Sequence, residues 1–192
     1  MNITKEILIG LIEFYNKDRA LERIVKRHLI TMFTVEEIQK LNSSFYALNT
    51  NLNGSIELNE LQEGLKFIRA FISNIELEKA INLAGGKICY SDFLASNVNL
   101  KKFNSKSFIN EVFKYFDYDQ NGYIDEKDLD NYYSRKGKKV NDIATLKNVI
   151  TEVCESLDLA DKTKINLENN LNYFFHSFHS FLFFFLFYQF FS

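Results

Sequence analysis

The sequence has no proline and no tryptophan, and only two cysteines among its 192 residues. Cys89 and Cys154 each lie in an apolar stretch, and neither has a second cysteine at the spacing of a metal site. We therefore expect two buried thiols in a reducing compartment and no disulfide. Beside these absences stand 20 phenylalanines and many Asn, Lys and Ile residues. Such a composition indicates an AT-rich coding sequence, which explains much of the phenylalanine without a functional reason.

A dominant charge of either sign is also missing. The formal net charge is -2, which excludes a general attraction to nucleic acid or to an anionic membrane. Near the N-terminus the apolar run Ile7 to Ile12 ends at Glu13, so it is too short for a secretory signal. With 46% hydrophobic and 25% charged residues, the composition predicts a packed globular protein, which we expect to be cytoplasmic.

Helical periodicity dominates the first 175 residues. Polar segments rich in Asn, Asp and Gly interrupt it, and these residues favour tight loops. Alternation of the kind seen in strands is scarce, so we expect an all-α protein. The apolar stripes are Ile38, Leu41, Phe45 and Leu48; Leu58, Leu61, Leu65, Ile68 and Ile72; Ile109, Val112, Phe113 and Phe116; and Leu146, Val149, Ile150, Val153 and Leu157.

The segment DYDQNGYIDEKD, Asp117 to Asp128, has the pattern of a calcium loop. Such a loop supplies oxygens from positions 1, 3, 5, 7, 9 and 12 and has glycine at position 6, here Gly122. Asp125 at position 9 would act through a water. Position 12 is Asp rather than Glu, which predicts weaker Ca2+ binding and makes Mg2+ an alternative occupant. The predicted ligands are Asp117, Asp119, Asn121, the backbone carbonyl of Tyr123, and Asp128.

An earlier segment, NTNLNGSIELNE, runs from Asn49 to Glu60 with the same frame and less charge. Gly54 stands at position 6, and Glu57 would act through a water. Its two carboxylates, against four in the other segment, predict weaker binding, and whether it holds an ion in cells is left open. The predicted ligands are Asn49, Asn51, Asn53, the backbone carbonyl of Ser55, and Glu60.

Two further segments keep the loop frame without its ligands. Residues 81–92 place Ile81 and Leu83 at positions 1 and 3, although Asp92 remains at position 12, and residues 158–169 place Lys162 at position 5. All four segments have isoleucine at position 8, where we expect neighbouring loops to pair through a short two-stranded bridge. These residues, Ile56, Ile88, Ile124 and Ile165, are separated by 32, 36 and 41 residues, which indicates a four-unit repeat.

The segments 49–60, 81–92, 117–128 and 158–169 are called loops 1 to 4. We expect two lobes of paired helix–loop–helix units, the EF-hands, with one working and one degenerate hand in each lobe. The expected divisions are an N-terminal helical segment 1–34, lobes 35–98 and 99–175, and a Phe-rich tail 176–192. The tail falls short of the roughly 20 residues that span a bilayer. Three interpretations of the tail are open: a gene-model artefact, a membrane-contacting tail, or a segment packed on the last hand. We favour the first.

From about Ile7 to Tyr173 the chain resembles the regulatory region of the calcium-dependent protein kinases, in which a junction helix precedes a calmodulin-like domain of four EF-hands. The resemblance rests on LERIVKRHLITMFTVEEIQKLNSSFYALN, NTNLNGSIELNEL, GGKICYSDFLAS and FKYFDYDQNGYIDEKDL. It implies calcium-regulated signalling. The chain has no Gly-rich loop, no HRD motif and no DFG motif, so we do not expect it to be an enzyme.

An amphipathic helix is predicted before loop 1. In the kinase family the junction helix contacts its own calmodulin-like domain, and basic amphipathic helices are typical calmodulin targets. This helix is therefore either an internal target in the groove of one lobe or an ordinary packing helix with a solvated basic side. Its apolar face is Leu21, Ile24, Val25, His28, Leu29 and Met32, and its basic face is Lys17, Arg19, Arg23, Lys26 and Arg27.

Together these features predict a calcium sensor or regulatory protein that binds one or two Ca2+ and exposes an apolar groove or releases the N-terminal helix. The alternatives are a calcium-independent scaffold and a truncated regulatory part of a kinase. The expected partner is a protein or peptide helix, which includes the chain's own N-terminal helix. No nucleic acid is expected, and a membrane only if the Phe-rich tail is real.

Overall fold

The structure, a computed structural model, describes residues 3–18, 20–103, 105–137 and 143–167. The Phe-rich tail 176–192 and the expected end of the second lobe lie outside these residues. The chain divides into two compact units, Met1–Val98 and Asn99–Ser192. In the described ranges the secondary structure is helical apart from short strands of two residues each, which confirms the predicted all-α fold.

The first unit begins with two N-terminal helices and continues with two helix–loop–helix hands. Its helices are α1 (Lys5–Asn16), α2 (Ala20–Leu29), α3 (Val35–Leu48), α4 (Leu58–Phe67), α5 (Asn74–Leu83) and α6 (Tyr90–Ser96), with a 3-10 turn at Ile30–Met32. Its strands are β1 (Ser55–Ile56) and β2 (Ile88–Cys89).

In the second unit, a 3-10 turn at Leu100–Phe103 precedes the third hand. The elements that follow are α7 (Lys106–Phe116), β3 (Tyr123–Ile124), α8 (Glu126–Arg135), α9 (Ile143–Ser156) and β4 (Ile165–Asn166). The core of this unit comes from the predicted stripes, since Val112, Phe116, Ile150 and Val153 are all buried.

Side-chain caps fix where several helices begin. Thr34 accepts a hydrogen bond from the backbone N–H of Glu37, and the Glu37 carboxylate accepts one from the N–H of Thr34. Ser73 and Glu76 form the same reciprocal pair before α5. Each pair satisfies two backbone donors that the first helical turn leaves open, and such a cap contributes about 1 kcal/mol.

The loops of each unit are joined by a two-residue antiparallel bridge. Ile56 pairs with Ile88 between β1 and β2, and Ile124 pairs with Ile165 between β3 and β4. All four side chains are buried. The predicted pairing of the position-8 isoleucines is thus confirmed in both units.

Two helices, rather than one, precede the first hand. Leu8 and Leu11 of α1 are fully buried, and α1 packs against α4, α5 and α6. The basic amphipathic helix is α2, which packs against α6 through a face that includes Leu21 and Ile24. The apolar face is therefore shorter than expected, because Met32 lies in the 3-10 turn and is 42% exposed.

Candidate metal centre

Loop 3 links α7 to α8 and carries most of the acidic predicted ligands. Asp117 is the C-terminal cap of α7, and Asp128 is the third residue of α8. Between them Gln120 and Gly122 have φ values of 56° and 85°, which turn the chain tightly. Because glycine has no Cβ, it adopts such a φ without strain. The backbone therefore brings the two ends of the loop together.

The carboxylates of loop 3 converge. One oxygen from each of Asp117, Asp119 and Asp128 lies within 4.8 Å of the others. Asp117 and Asp128 are 6% and 2% exposed. Three converging carboxylate oxygens, two of them from buried residues, supply part of the six to eight oxygens that Ca2+ binds, so these residues fit Ca2+.

Hydrogen bonds to backbone N–H groups of loop 3 hold the side chains of the predicted ligands in place. The Asp117 carboxylate accepts from the backbone N–H of Asn121 at 3.1 Å and of Gly122 at 3.0 Å. The Asn121 side-chain oxygen accepts from the N–H of Tyr123 at 2.9 Å. Asp128 accepts from the N–H of Tyr118 at 2.9 Å and of Asp125 at 3.0 Å. A carboxylate has about four acceptor sites, so these oxygens keep capacity for an ion.

Burial raises the pKa of the Asp128 carboxyl above its ordinary value. The hydrogen bonds from Asp125 and Tyr118 oppose this rise, and the negative charges of Asp125 and Asp119 add to it. A buried acid surrounded by acids gains from a neutralising cation.

The ring of Tyr123 contacts a residue of loop 4. The Lys164 ammonium lies 4.2 Å from its ring centroid, which is within cation–π range. Tyr123 pairs with Asn166 across the two strands, and Lys164, two residues before Asn166, is its diagonal neighbour.

Loop 1 has the same backbone as loop 3. Leu52 and Gly54, at positions 4 and 6, have φ values of 57° and 80°. The side-chain oxygens of Asn51 and Asn53 accept from the N–H groups of Asn53 and Ser55, and Glu60 accepts from that of Glu57. Equivalent bonds run between the same positions in loop 3. Loop 1 therefore keeps the hydrogen-bond geometry of loop 3, although its side chains at positions 1, 3 and 5 are neutral.

Asn49, at position 1 of loop 1, supplies a further observation. It is 2% exposed, and its side-chain oxygen has no hydrogen-bond partner among the described residues. A buried carbonyl oxygen without a partner is costly, by about 1 to 3 kcal/mol. An oxygen at a predicted ligand position that lacks a donor fits a cation at loop 1 as well.

Loop 2 places its remaining acid elsewhere. The position-12 carboxylate of Asp92 is 8% exposed and pairs with Arg27 of α2, with Nε to Oδ1 at 2.6 Å and Nη2 to Oδ2 at 2.9 Å. The Tyr15 hydroxyl of α1 donates to Oδ2 at 2.5 Å. Sequence reasoning identified Asp92 and Arg27 separately and missed their contact, because 65 residues separate them.

Loop 4 carries a lysine where an ion ligand would lie. The Lys162 ammonium donates to the backbone carbonyl of Cys154 at 3.4 Å, and the Lys162 carbonyl accepts from the Thr151 hydroxyl at 3.3 Å. Asp161 accepts from the N–H of Thr163 at 2.9 Å. Lys162 therefore connects loop 4 to α9 through its charged ammonium group and its backbone carbonyl.

One expectation for the cysteines is wrong. Cys154 is buried as expected, but Cys89 is exposed. Cys89 is the second residue of β2, and its neighbour Ile88 takes the inward position. Alternation along the strand turns the thiol of Cys89 outward.

Helix–loop–helix units whose loops are joined by short antiparallel strands at position 8 define the EF-hand fold. In sequence the chain is similar to the calcium-dependent protein kinases. It is 34% identical to calcium-dependent protein kinase 7 of Arabidopsis thaliana over 117 residues, which cover 59% of this chain and 21% of that protein. Calcium-dependent protein kinase 9 of Arabidopsis thaliana is 27% identical over 152 residues, covering 77% of this chain and 27% of its own.

Calcium-dependent protein kinase 9 of Oryza sativa subsp. japonica is 27% identical over 135 residues, covering 68% of this chain and 23% of its own length. These relatives confirm the resemblance drawn from the motifs. The chain spans about a quarter of the length of the curated relatives it matches. No protein-family model matches the chain. Among the described helices, none has the length and apolar character needed to cross a membrane.

Proposed function

We propose that this chain is a calcium sensor or regulatory EF-hand module that binds one Ca2+ at loop 3 and a second, more weakly, at loop 1. The convergence of Asp117, Asp119 and Asp128 carries the proposal. At loop 3 the side chains of Asp117, Asp119, Asn121 and Asp128 and the carbonyl of Tyr123 would hold the ion. The related kinases are also named as calcium-dependent.

The position of Asp128 explains how occupancy would reach the rest of the unit. This residue is a ligand and also part of the N-terminal cap of α8, where it accepts from the N–H of Asp125. A change in the position of its carboxylate therefore bears on the start of α8. Reorientation of an exit helix is how sensor EF-hands expose apolar surface to a partner helix.

We expect the affinity of loop 3 at the weak end of the sensor range, about 10⁻⁶ to 10⁻⁵ M, because Asp128 is shorter than glutamate. Loop 1 has Glu60 at position 12 but neutral side chains at positions 1, 3 and 5. Fewer charges predict a lower affinity there. Mg2+ at rest is an alternative occupant of loop 3.

The test is calorimetric titration of the full chain with Ca2+ in the presence of millimolar Mg2+. Asp117→Ala removes a ligand of loop 3, and Asp130→Ala removes a carboxylate from an exposed position on α8 as the matched control. We expect Asp117→Ala to abolish the tighter binding event and Asp130→Ala to retain it.

Loop 1 is tested with a pair of its own. Asn49→Ala removes the buried oxygen at position 1, and Asn59→Ala changes an exposed residue at position 11. We expect only Asn49→Ala to remove the weaker event. Absence of calcium heat in the unmodified, folded chain would contradict the sensor proposal.

A calcium-independent scaffold is the second candidate. Two contacts favour it, Arg27 with Asp92 in loop 2 and Lys162 with the Cys154 carbonyl in loop 4, because they involve none of the predicted ligands of loops 1 and 3. A helical spectrum and a surface hydrophobicity that do not change on Ca2+ addition would support it. We propose no enzymatic activity for this chain. We also propose a cytoplasmic location, which suits the two free cysteines.

The short coverage of the relatives is also consistent with a regulatory region of a longer kinase. An in-frame kinase domain upstream of Met1 in a sequenced transcript would establish that alternative.

A further inference from the structure

Asp92, the acid at position 12 of loop 2, is not accompanied by the side-chain ligands that an ion site needs. Positions 1, 3 and 5 of this loop are Ile81, Leu83 and Gly85, which offer no side-chain oxygen. Asp92 is nevertheless buried to 8% exposure. A buried carboxylate needs a positive partner or several hydrogen bonds, because leaving water is otherwise strongly unfavourable.

The partner comes from the N-terminal helices. The Arg27 guanidinium contacts both carboxylate oxygens of Asp92, a two-bond geometry that is stronger and more specific than a single contact. Tyr15 of α1 donates to the same carboxylate and is 3% exposed. One acid on α6 therefore binds groups from both α1 and α2.

Arg27 and its basic neighbours on α2 make further contacts. The Cζ atom of Arg27 lies 5.5 Å from the ring centroid of Phe14, which is 1% exposed. Lys26 pairs with Asp18, and Arg23 donates to the Asp18 carbonyl at 2.5 Å. Arg23 and Lys26 of α2 thus contact Asp18, which follows α1, and Arg27 contacts Asp92. The apolar side chains Leu21, Ile24, Val25 and Leu29 of α2 are buried.

We propose that loop 2 uses a cation of the chain itself: the Arg27 guanidinium takes the place of a calcium ion at Asp92, and with Tyr15 it keeps α1 and α2 docked on α6 whether or not Ca2+ is bound. The second part rests on the proposed calcium function. In such a sensor α1 and α2 do not move, so the response to Ca2+ arises without release of the N-terminal helices.

The test is hydrogen exchange of the full chain, read at the amides of α1 and α2, without Ca2+ and with saturating Ca2+. Arg27→Gln and Asp92→Asn each remove one charge of the pair. Lys66→Gln is the matched control, since it removes one charge from an exposed ion pair with Glu63 in the same unit. We expect each of the first two variants to lower protection at least about tenfold and the control to leave it unchanged.

The variant with both substitutions, Arg27→Gln with Asp92→Asn, guards against a general loss of folding. Removing both charges leaves no unpaired buried ion, so its protection should be no lower than that of the worse single variant. In the unmodified chain, Ca2+ should change exchange in α2 less than twofold.

Additive losses in the double variant, or protection in Arg27→Gln and Asp92→Asn equal to that of Lys66→Gln, would overturn the proposed pairing. Faster exchange of α2 on Ca2+ addition would overturn calcium-independent docking while leaving the sensor function intact. A chain that gives no calcium heat would remove the sensor function, yet the ion-free exchange data would still decide the Arg27 pairing.

Discussion

Ile124 pairs with Ile165 across the strands β3 and β4, and their side chains are 3% and 0% exposed. Ile124 belongs to the acidic loop 3 and Ile165 to the degenerate loop 4. The two loops of the second unit therefore share one buried contact, and loop 4 supports loop 3 without contributing a ligand.

Ile165→Ala should weaken Ca2+ binding at loop 3 several-fold although it changes no ligand. Loss of a fully buried side chain should also lower the free energy of unfolding of the second unit by about 2 to 5 kcal/mol. Calorimetric titration and denaturant unfolding measure the two effects. Leu52→Ala, which shortens an apolar side chain that is 76% exposed in loop 1, is the control. Unchanged affinity in Ile165→Ala would argue against support from loop 4.

Gly122→Ala tests the backbone of loop 3. A Cβ at Gly122 would meet no atom within 4 Å, so the substitution adds no clash, but φ is 85°. We expect a loss of about 1 to 2 kcal/mol from backbone strain alone and a weaker Ca2+ site. Gly122→Asn should lose less, because asparagine tolerates positive φ better than alanine. Equal losses would argue against strain at positive φ as the cause, because alanine and asparagine differ in how well they tolerate that conformation.

Gly64→Ala tests the approach of α4 to α3. A Cβ at Gly64 would lie 2.5 Å from Cδ2 of Leu48, which is 1% exposed. Overpacking of this kind is destabilising by about 1 to 3 kcal/mol and should outweigh the gain of about 1 kcal/mol in helix propensity. With Leu48→Val the combined loss should fall below the sum of the single losses, as thermal unfolding can measure. Strict additivity would mean that the two residues do not compete for space.

Tyr15→Phe should alter stability at alkaline pH. Burial, and then the charge and hydrogen bond of Asp92, raise the pKa of the Tyr15 phenol far above its ordinary value of 10.0. The folded state therefore keeps the proton while the unfolded chain releases it, so the stabilisation is complete below about pH 10 and declines as the pH rises further.

Denaturant unfolding between about pH 8 and pH 11 measures this effect. The unmodified chain should lose more stability over that interval than Tyr15→Phe does. Tyr46→Phe, at a position that is 64% exposed, is the control and should follow the unmodified chain. Parallel curves for all three proteins would contradict the role assigned to the Tyr15 phenol.

Local pattern predicted the hands because their signals lie within short stretches of sequence. The position-8 isoleucines and the glycines at position 6 are each recognised within a single loop. Periodicity alone located α3 and α9. The strand pairing then followed from aligning the loops of one lobe with each other.

The contacts of the N-terminal helices could not be predicted in the same way. Periodicity showed that α2 has a basic face, but it does not show which acid that face meets. Tyr15 and Asp92 are 77 residues apart in the chain and adjacent only after folding. The lack of a partner for the Asn49 oxygen is likewise a property of the packed loop rather than of the residue type.

Tyr123 gives loop 3 an aromatic ring at position 7, where loop 1 has none. The sequence contains no tryptophan, so tyrosine dominates its near-ultraviolet absorption. Lanthanide ions prefer oxygen ligands as Ca2+ does, and Tb3+ emits when a nearby aromatic ring transfers excitation energy to it. Tyr123 lies within loop 3, where loop 1 has Ser55 at the equivalent position. Sensitised Tb3+ luminescence would therefore report an ion bound at loop 3 without any added label.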